Sequence, residues 1–243
     1  KNNLTNNYTL VSKILKVTGI PESNLAEEIE DLLESVNPTV APYANIGEVK
    51  LRLSAKGQSK KEAEALLKPI EEEIRKRIGV KCYGVNDDTL SSIAIRKLKE
   101  KNQTLSILES FSGGNLSAAI SAIQGSSDVF LGSLIEDKNN ILEISSNLIN
   151  TYGYLSNEVI ELMAIKVKKY IGSDWGIAIS GIKDTEEASS LKPIGLVNFG
   201  IASPKKSFGV SKIFPENKGV ETIQKLSVVF ALDLLRLSIM ESD

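Results

Sequence analysis

The positions of apolar and polar residues divide the chain into alternating strand-like and helix-like segments. In "EVKLRLSAKG", Val49, Leu51 and Leu53 alternate with polar and basic residues, which predicts a half-buried strand. Over residues 25–33, leucine and isoleucine recur at helical spacing, with acidic residues on the other face. The early chain therefore has the order strand, helix, strand, helix, strand, and we predict a small α+β domain over residues 1–86.

Helix breakers mark two further features of this first domain. Residues 37–47, "NPTVAPYANIG", carry two prolines and a glycine and are predicted to form a loop. Ser59 and Glu62 have the form of a capping box, which opens a helix through Ile78. Pro69 lies inside that helix and is expected to kink or split it, because proline removes a backbone hydrogen bond.

The rest of the chain continues the alternation of helices and strands. Helices are predicted over residues 89–101, 115–123, 139–145 and 156–171 and at the C-terminus. Strands are predicted over 104–109 and in "WGIAISGI", "IGLVNFGIA" and "SFGVSKIF", and residues 129–135 form an apolar stretch. Such alternation favours an α/β sandwich around a mostly buried sheet. The predicted fold class is therefore α/β, with a small α+β domain followed by an α/β sandwich domain over residues 87–243.

Two residue counts exclude whole classes of chemistry. The chain has no histidine, which rules out Ser-His-Asp and Cys-His catalysis and every imidazole metal site. Its single cysteine, Cys82, lies in a strand-like run and is expected to be a buried, inert thiol. One cysteine makes neither a disulfide nor a thiolate cluster, so we expect a cytoplasmic protein without metal or other cofactor. Hydrolysis would then use serine, lysine, a carboxylate or water.

Charge and hydropathy exclude two kinds of partner. The net charge of −2 gives no electrostatic basis for nucleic-acid binding. No apolar run reaches about 18 residues, so no membrane span is expected. The first residue is a lysine, which we take as a boundary inside a longer protein.

The first glycine turn, residues 110–114, follows a predicted strand and opens a predicted helix. Gly113 and Gly114 let backbone amides approach a ligand, and Ser110 and Ser112 add hydroxyl donors. Such a turn is suited to binding a phosphate group. The alternative is that these residues are ordinary helix-capping and turn residues.

The second glycine turn, residues 125–127, closes the helix that the first turn opens. It contains Ser126 and Ser127 after a glycine. Ser127 is a candidate nucleophile or a helix cap, and spacing alone favours the cap.

Several blocks, taken together and in order, resemble one known family. They are "NPTVAPYANIGEVKLRLSAKG", "YGVNDDTL", "ESFSGG", "GSSDVFLG", "ISGI", "KPIGLV" and "FALDLL". This series resembles the CinA family of competence/damage-inducible proteins. Residues 1–86 resemble the family's middle linker domain, and residues 87–243 its C-terminal domain, which in active members hydrolyses the amide of nicotinamide mononucleotide (NMN) and releases ammonia. The resemblance implies a homodimer that binds an NMN-like nucleotide.

The resemblance also assigns roles to individual residues. It makes Ser127 the nucleophile, but a gap-free alignment places Leu142 where the family has the lysine base and Asp137 where it has a tyrosine. Lys138 lies one helical turn before Leu142 and is a candidate substitute base; the alternative is a solvated surface lysine. The implied substrate-binding residues are Ser110, Ser112, Gly113, Gly114, Ser126, Ser180, Gly181 and Lys218.

Other positions depart from the family pattern. Phe111 and Ser112 replace the cysteine and threonine of E-S-C-T-G-G, and residues 183–190 replace a glycine-rich loop by a segment with three acids. Lys218 keeps the charge of the family's arginine without its bidentate fork. These departures predict a partly degenerate NMN amidohydrolase-type domain whose activity is weak or lost. The alternative is an active serine-dependent NMN deamidase that releases ammonia in pyridine nucleotide recycling.

Overall fold

The computed structural model of the 243-residue chain describes residues 8–136, 142, 144, 146–182 and 193–242. The chain divides into two compact units, one up to Thr89 and one from Leu90 onwards. Each unit combines helices with one sheet. The predicted α/β fold class is confirmed.

The first unit is a four-stranded antiparallel sheet covered by helices. Its strands are β1 (Thr9–Thr18), β2 (Thr39–Asn45), β3 (Glu48–Gly57) and β4 (Cys82–Val85), in the sheet order β2-β3-β1-β4, and its helices are α1 (Glu22–Glu28), α2 (Glu30–Leu33) and α3 (Lys60–Ile78). The predicted half-buried strand is confirmed in β3, because Leu51 and Leu53 are buried in the core while Arg52 is exposed. Cys82 is buried and forms no disulfide, as expected.

The loop predicted over residues 37–47 is wrong, because β2 occupies most of it. This strand lies at the edge of the sheet, and Pro42 pairs opposite Leu51 of β3. Proline is tolerated in an edge strand because its missing amide need not donate to a second neighbour.

The split at Pro69 does not occur, since α3 runs without interruption through that residue. Pro69 and Ala65, whose carbonyl loses its helical donor, are both exposed, so water can replace the missing bond. The capping prediction holds at Ser59, whose hydroxyl accepts from the Glu62 amide at 3.2 Å.

The second unit is a five-stranded mixed sheet between two layers of helices. Its strands are β5 (Leu105–Glu109), β6 (Phe130–Ile135), β7 (Trp175–Gly181), β8 (Leu196–Ala202) and β9 (Ser207–Ile213), in the order β6-β5-β7-β8-β9; its helices are α4 (Leu90–Glu100), α5 (Asn115–Ser121), α6 (Ser146–Tyr152), α7 (Asn157–Ile171) and α8 (Val220–Glu241). β6, β5 and β7 are parallel, whereas β8 and β9 are antiparallel to their neighbours. Most of the helix predicted over 139–145 lies outside the described residues.

Helix α7 lies directly on a row of glycines. Gly176, Gly200 and Gly209 occupy β7, β8 and β9 and face this helix. A Cβ built on any of them would lie within 2.1 Å of a backbone carbonyl oxygen of α7. The absence of side chains on these strands therefore sets how closely the helix approaches the sheet.

No helix in the described part of the chain is both long and apolar enough to cross a membrane.

An ion-pair network joins β1 to α3 in the first unit. The Lys13 ammonium lies 2.5 Å from Glu71 Oε2, and Arg75 Nε donates to Glu71 Oε1 at 3.0 Å. Burial alone would raise the pKa of Glu71, but the hydrogen bonds and charges of Lys13 and Arg75 outweigh burial and hold that pKa below its usual value. The folded state therefore binds a proton at Glu71 less readily than the unfolded chain does.

We predict that Glu71→Gln lowers the stability of the first unit by about 0.5–1 kcal/mol at neutral pH. A depressed carboxyl pKa stabilises the fold above the unfolded pKa, and this contribution is lost as pH falls through the folded pKa. The difference between variant and parent should therefore shrink below about pH 4.5. This difference in stability is measured by hydrogen exchange of the β1 and β3 amides, corrected for the intrinsic exchange rate at each pH.

The matched control for this prediction is Glu72→Gln, because Glu72 is exposed and lies 3.8 Å from Lys68. It should change neither the stability nor its pH dependence measurably. A Glu71→Gln variant with the parent's pH profile would show that the network does not stabilise the fold.

Candidate functional site

The two glycine turns lie at opposite ends of the second unit's sheet. The parallel register pairs Leu105 with Phe130 at one end and Glu109 with Ile135 at the other. The first turn follows Glu109, and the second turn precedes Phe130. At about 3.3 Å per residue, the length of β5 separates them by about 13 Å. We call the end that holds the first turn the carboxyl end, after β5 and β7, and the other the amino end.

The carboxyl end collects most of the predicted substrate-binding residues. They are Ser110, Ser112, Gly113 and Gly114 in the first turn, Ser180 and Gly181 at the end of β7, and Lys218 between β9 and α8. Hydrogen bonds join these elements: the Ser110 amide and hydroxyl donate to the Ile179 carbonyl at 2.9 Å and 3.3 Å, and Gln224 Nε2 donates to the Phe111 carbonyl at 2.8 Å. Lys218 is exposed on a 3₁₀ turn. Residues distant in sequence thus meet at one edge.

The N-terminus of α5 is occupied by the carboxylate of Glu109, which is fully buried. Glu109 Oε2 accepts from Ser112 Oγ at 2.6 Å and from the Leu116 amide at 3.0 Å. Its Oε1 accepts from the Ser117 amide at 2.8 Å and from the Ser117 hydroxyl. The amides at the start of a helix attract anions, and here the protein supplies the anion itself.

This arrangement changes what the first turn can offer a ligand. The Ser112 hydroxyl is fully buried and donates to Glu109, so it contacts a phosphate only if it leaves that carboxylate. Gly113 and Gly114 have φ of +61° and +94°, a backbone conformation that favours glycine. Within the described residues, neither glycine amide donates a hydrogen bond. These two amides are therefore available to a ligand.

Sequence reasoning did not single out Glu109. An acidic residue at an apolar-facing strand end, immediately before a glycine turn, is the signal that could have identified it. A buried carboxylate needs donors, and the start of a helix provides them.

Gly181 packs against the side chain that replaces the family's cysteine. A Cβ on Gly181 would lie 2.8 Å from Phe111 Cδ2 and 2.9 Å from the Leu196 carbonyl oxygen. The Phe111 ring is 1% exposed, so it fills the space above this glycine. The structure thus gives Gly181 a packing role, and substrate binding by Gly181 stays a prediction.

Two buried polar atoms at this end have no hydrogen-bond partner among the described residues. Ser180 and Asn198 are paired across β7 and β8, and each is 1% exposed. Among the described residues, Ser180 Oγ and Asn198 Oδ1 make no hydrogen bond, although Asn198 Nδ2 donates to Ser211 Oγ at 2.7 Å. Leaving such groups unpaired costs about 1–3 kcal/mol each. A hydroxyl beside a carbonyl oxygen is complementary to a water or to the amide of a ligand.

The amino end holds the second glycine turn, a 3₁₀ turn over Ser126–Asp128. Ser126 is buried, and its hydroxyl donates to the Ser121 carbonyl at 3.3 Å. Ser127 is exposed, and Lys99 Nζ lies 2.8 Å from Asp128 Oδ2 beside it. The expectation that Ser127 caps a helix is wrong, because a strand follows the turn.

The predicted base positions fall mostly outside the described residues, which do not include Lys138, Asp137 or residues 183–190. Leu142 is described and is 6% exposed, in an apolar cluster with residues of α7. Its carbonyl oxygen accepts from Lys166 Nζ at 2.7 Å. The position that the gap-free alignment assigns to the family's lysine is therefore a buried aliphatic side chain in this structure.

Known families match both units. The model described as the CinA C-terminal domain matches residues 87–239, and the model described as the damage-inducible protein CinA KH domain matches residues 12–84. The chain belongs to the CinA family. The resemblance found in the sequence is confirmed.

Relatives of the family match the chain along nearly its whole length. A CinA-like protein of Prochlorococcus marinus strain AS9601 is 44% identical over 100% of this chain and 58% of its own length. A CinA-like protein of Parasynechococcus marenigrum strain WH8102 is 44% identical over 93% of this chain and 55% of its own length. The chain thus spans a little over half the length of these curated relatives.

Solved CinA superfamily structures share the fold. One from Klebsiella pneumoniae has a TM-score of 0.59 at 22% identity, covering 63% of this chain and 96% of that one. One from Escherichia coli has a TM-score of 0.56 at 25% identity, covering 63% of this chain and 92% of that one.

We predict that Glu109→Gln destabilises the second unit by about 2–6 kcal/mol. In the variant, an amide NH₂ would replace one of the two carboxylate oxygens and would face other hydrogen-bond donors. About two buried donors would then be unpaired, and each costs about 1–3 kcal/mol of stability. Urea unfolding followed by the fluorescence of the single tryptophan measures the effect, since Trp175 starts the neighbouring strand β7.

The control is Glu100→Gln, because Glu100 is exposed at the end of α4. It should unfold within about 0.5 kcal/mol of the parent. Equal midpoints for both variants would mean that the Glu109 carboxylate is not needed at the helix start.

Proposed function

We propose that the second unit is an NMN amidohydrolase-type domain of the CinA family that retains a nucleotide pocket and has a partly degenerate catalytic set. Its deamidase activity is then weak or lost. The observation that carries the proposal is the collection of predicted substrate-binding residues at the carboxyl end, around the first glycine turn.

The chemistry at that end supports an NMN-like ligand. Gly113 and Gly114 offer amides suited to an anionic group. Ser180 and Asn198 offer a buried hydroxyl and a carbonyl oxygen suited to a carboxamide, which has one acceptor and two donors. A phosphate and a carboxamide are the two polar ends of NMN.

The loss of the base supports weak turnover. Leu142 has no titratable group, and its side chain is buried among apolar residues. Removing a general base costs about 10²–10⁴-fold in rate. Lys138 as a substitute base stays a prediction.

A second candidate function is the active serine-dependent deamidase. Its support is Ser127, whose side chain is exposed and open to a substrate or a base. On this alternative, Lys138 or another group activates the serine.

Nucleic-acid binding receives no support from the first unit, despite the KH description of its family model. KH domains clamp nucleic acid with a G-x-x-G loop. Before residue 90 the glycines are Gly19, Gly47, Gly57, Gly79 and Gly84, and no two are three residues apart. We therefore retain the prediction that nucleic acid is not a partner.

Ammonia release from NMN, together with calorimetric titration of NMN, tests the proposal on the whole chain. We expect binding at sub-millimolar ligand and a rate at least about 10²-fold below that of a family member with the lysine. Ser127→Ala should leave NMN binding intact. Ammonia release at a normal rate that disappears in Ser127→Ala would establish the active deamidase instead.

Comparing Leu142→Lys with Leu142→Met distinguishes a domain that has lost only its general base from one that has also lost its nucleotide pocket. Burying an ammonium among apolar side chains should destabilise the lysine variant, whereas methionine is nearly isosteric. A rate gain in the lysine variant alone would show a pocket that lacks one residue. Absence of NMN binding at millimolar ligand in the parent would reduce the domain to a structural role.

A further inference from the structure

The sheet of the first unit has one face packed against helices and one face open to solvent. Inward residues of β1 and β3, such as Leu15 and Leu53, share one apolar core with residues of α3. On the other face, Leu10 and Tyr43 are 64% and 52% exposed. We call this the open face; the strand register assigns to it the even-numbered residues of β1 and β3 and the odd-numbered residues of β2.

The open face carries a group of cations on β1 and β3. They are Lys16, Lys50, Arg52 and Lys56. Within the described part of the chain, none of the four forms an ion pair. The acids nearest this face are bonded elsewhere, since Glu48 accepts from the Tyr83 hydroxyl and Asp88 accepts from the Val85 amide at 2.9 Å. The positive charge of the open face is therefore not neutralised by these acids.

Two of these cations stand directly opposite each other. Lys16 of β1 pairs with Lys50 of β3, and Arg52 is the next outward residue along β3. Directly opposed residues have Cβ atoms about 4.5–5.5 Å apart, and like charges at such positions destabilise a sheet. Stability alone would favour an acid at one of the two positions. The fold thus keeps positive charge here at some cost in stability, and an anionic partner would remove that cost.

Aliphatic side chains run beside the cations. On β1, Leu10 pairs with Lys56 of β3, and Ile14 pairs with Arg52. A basic row on β3 therefore lies next to aliphatic side chains on β1, about 4.8 Å away across the sheet. From Leu10 to Lys16 the strand rises about 20 Å, at about 3.3 Å per residue. A helix of about 13 residues has the same length.

We propose that the open face docks an acidic amphipathic helix of a partner protein, aligned along β1 and β3. Acidic side chains of that helix meet Lys50, Arg52 and Lys56, and its aliphatic side chains cover Leu10 and Ile14. A helix on a sheet is one of the stable layer arrangements, and an apolar stripe is the side that such a helix buries. Charge complementarity sets the acidic character of the partner.

Nucleic acid fits this face less well than an acidic helix does. Single-stranded nucleic acid binds where successive bases stack on aromatic rings. Among the outward positions of β1, β2 and β3, Tyr43 is the one aromatic residue, and the ring of Tyr8, just before β1, is covered by the Lys56 ammonium at 4.0 Å. Leu10 and Ile14 stand where further rings would be needed.

An anionic bilayer also fits less well. Proteins that bind at a bilayer surface insert apolar side chains beyond their charged ones. On the open face, the lysine and arginine side chains are longer than the leucine and isoleucine beside them, so the charges and not the apolar groups would reach the bilayer first.

Binding of designed peptides to the whole chain tests the proposal. The probe is a fluorescein-labelled, helix-stabilised peptide of about 13 residues, with a stripe of leucines beside a stripe of glutamates. One control peptide has lysine in place of each glutamate, and another has the same composition in an order that forms no stripe. We expect fluorescence anisotropy to show at least about tenfold tighter binding of the probe than of either control.

Charge reversal on the open face separates binding from folding. Lys50→Glu should weaken binding of the probe at least about tenfold, and Arg52→Glu is the second case. Because Lys50→Glu gives Lys16 an acidic neighbour, hydrogen exchange of the β1 and β3 amides should be no faster than in the parent. The matched control is Lys61→Glu, which makes the same charge change at an exposed position of α3 and should bind the probe as the parent does.

The other occupants are tested with the same variants. Single-stranded oligonucleotides and vesicles of phosphatidylserine and phosphatidylcholine are titrated beside the probe. Tighter binding of either, lost in Lys50→Glu and Arg52→Glu, would assign the open face to that partner and overturn the inference. Equal binding of probe and control peptides, or binding of the probe that neither variant weakens, would overturn it too. These measurements use no group of the proposed nucleotide pocket, so this inference stands or fails apart from the proposed function.

Discussion

The carboxylate of Glu109 holds the carboxyl end of the second sheet together. It ends β5, receives the Ser112 hydroxyl, and satisfies the first amides of α5. A buried charge without these donors would be costly, and the donors without the charge would be unpaired. The shape of the first glycine turn, and with it the orientation of the Gly113 and Gly114 amides, depends on this one group.

The Glu109 carboxylate also determines which groups of the first glycine turn remain available to a ligand. With an internal anion already at the start of α5, the turn offers a ligand its glycine amides rather than the helix terminus. The serine that the family resemblance makes the nucleophile lies at the far end of α5. In this topology the first glycine turn and Ser127 therefore lie at opposite ends of one sheet.

Local patterns predicted most elements but not how they meet. Alternation in β3 and the capping residue Ser59 act within a few residues and were predicted correctly. The strand β2 was missed because Pro38, just before it, and Pro42, within it, are local breakers, whereas its pairing with β3 is set by tertiary contacts. The same holds for the candidate site. Its hydroxyls and glycines could be recognised in the sequence. The strand register that separates the two turns, and the role of Glu109, could not.

The glycine row under α7 carries a consequence for how this fold can vary. A methyl group at Gly176, Gly200 or Gly209 would stand about 2 Å from a helix carbonyl, where real contacts stay beyond 3.0 Å. Substitution at any of the three would push the whole helix outwards rather than disturb one side chain. Because Asn157 at its start accepts from Ser211, which in turn accepts from Asn198, the displacement would reach the buried Asn198 side chain beside Ser180. The position of Asn198 in the proposed pocket thus depends on the spacing between a helix and a sheet, which is set by residues that have no side chain.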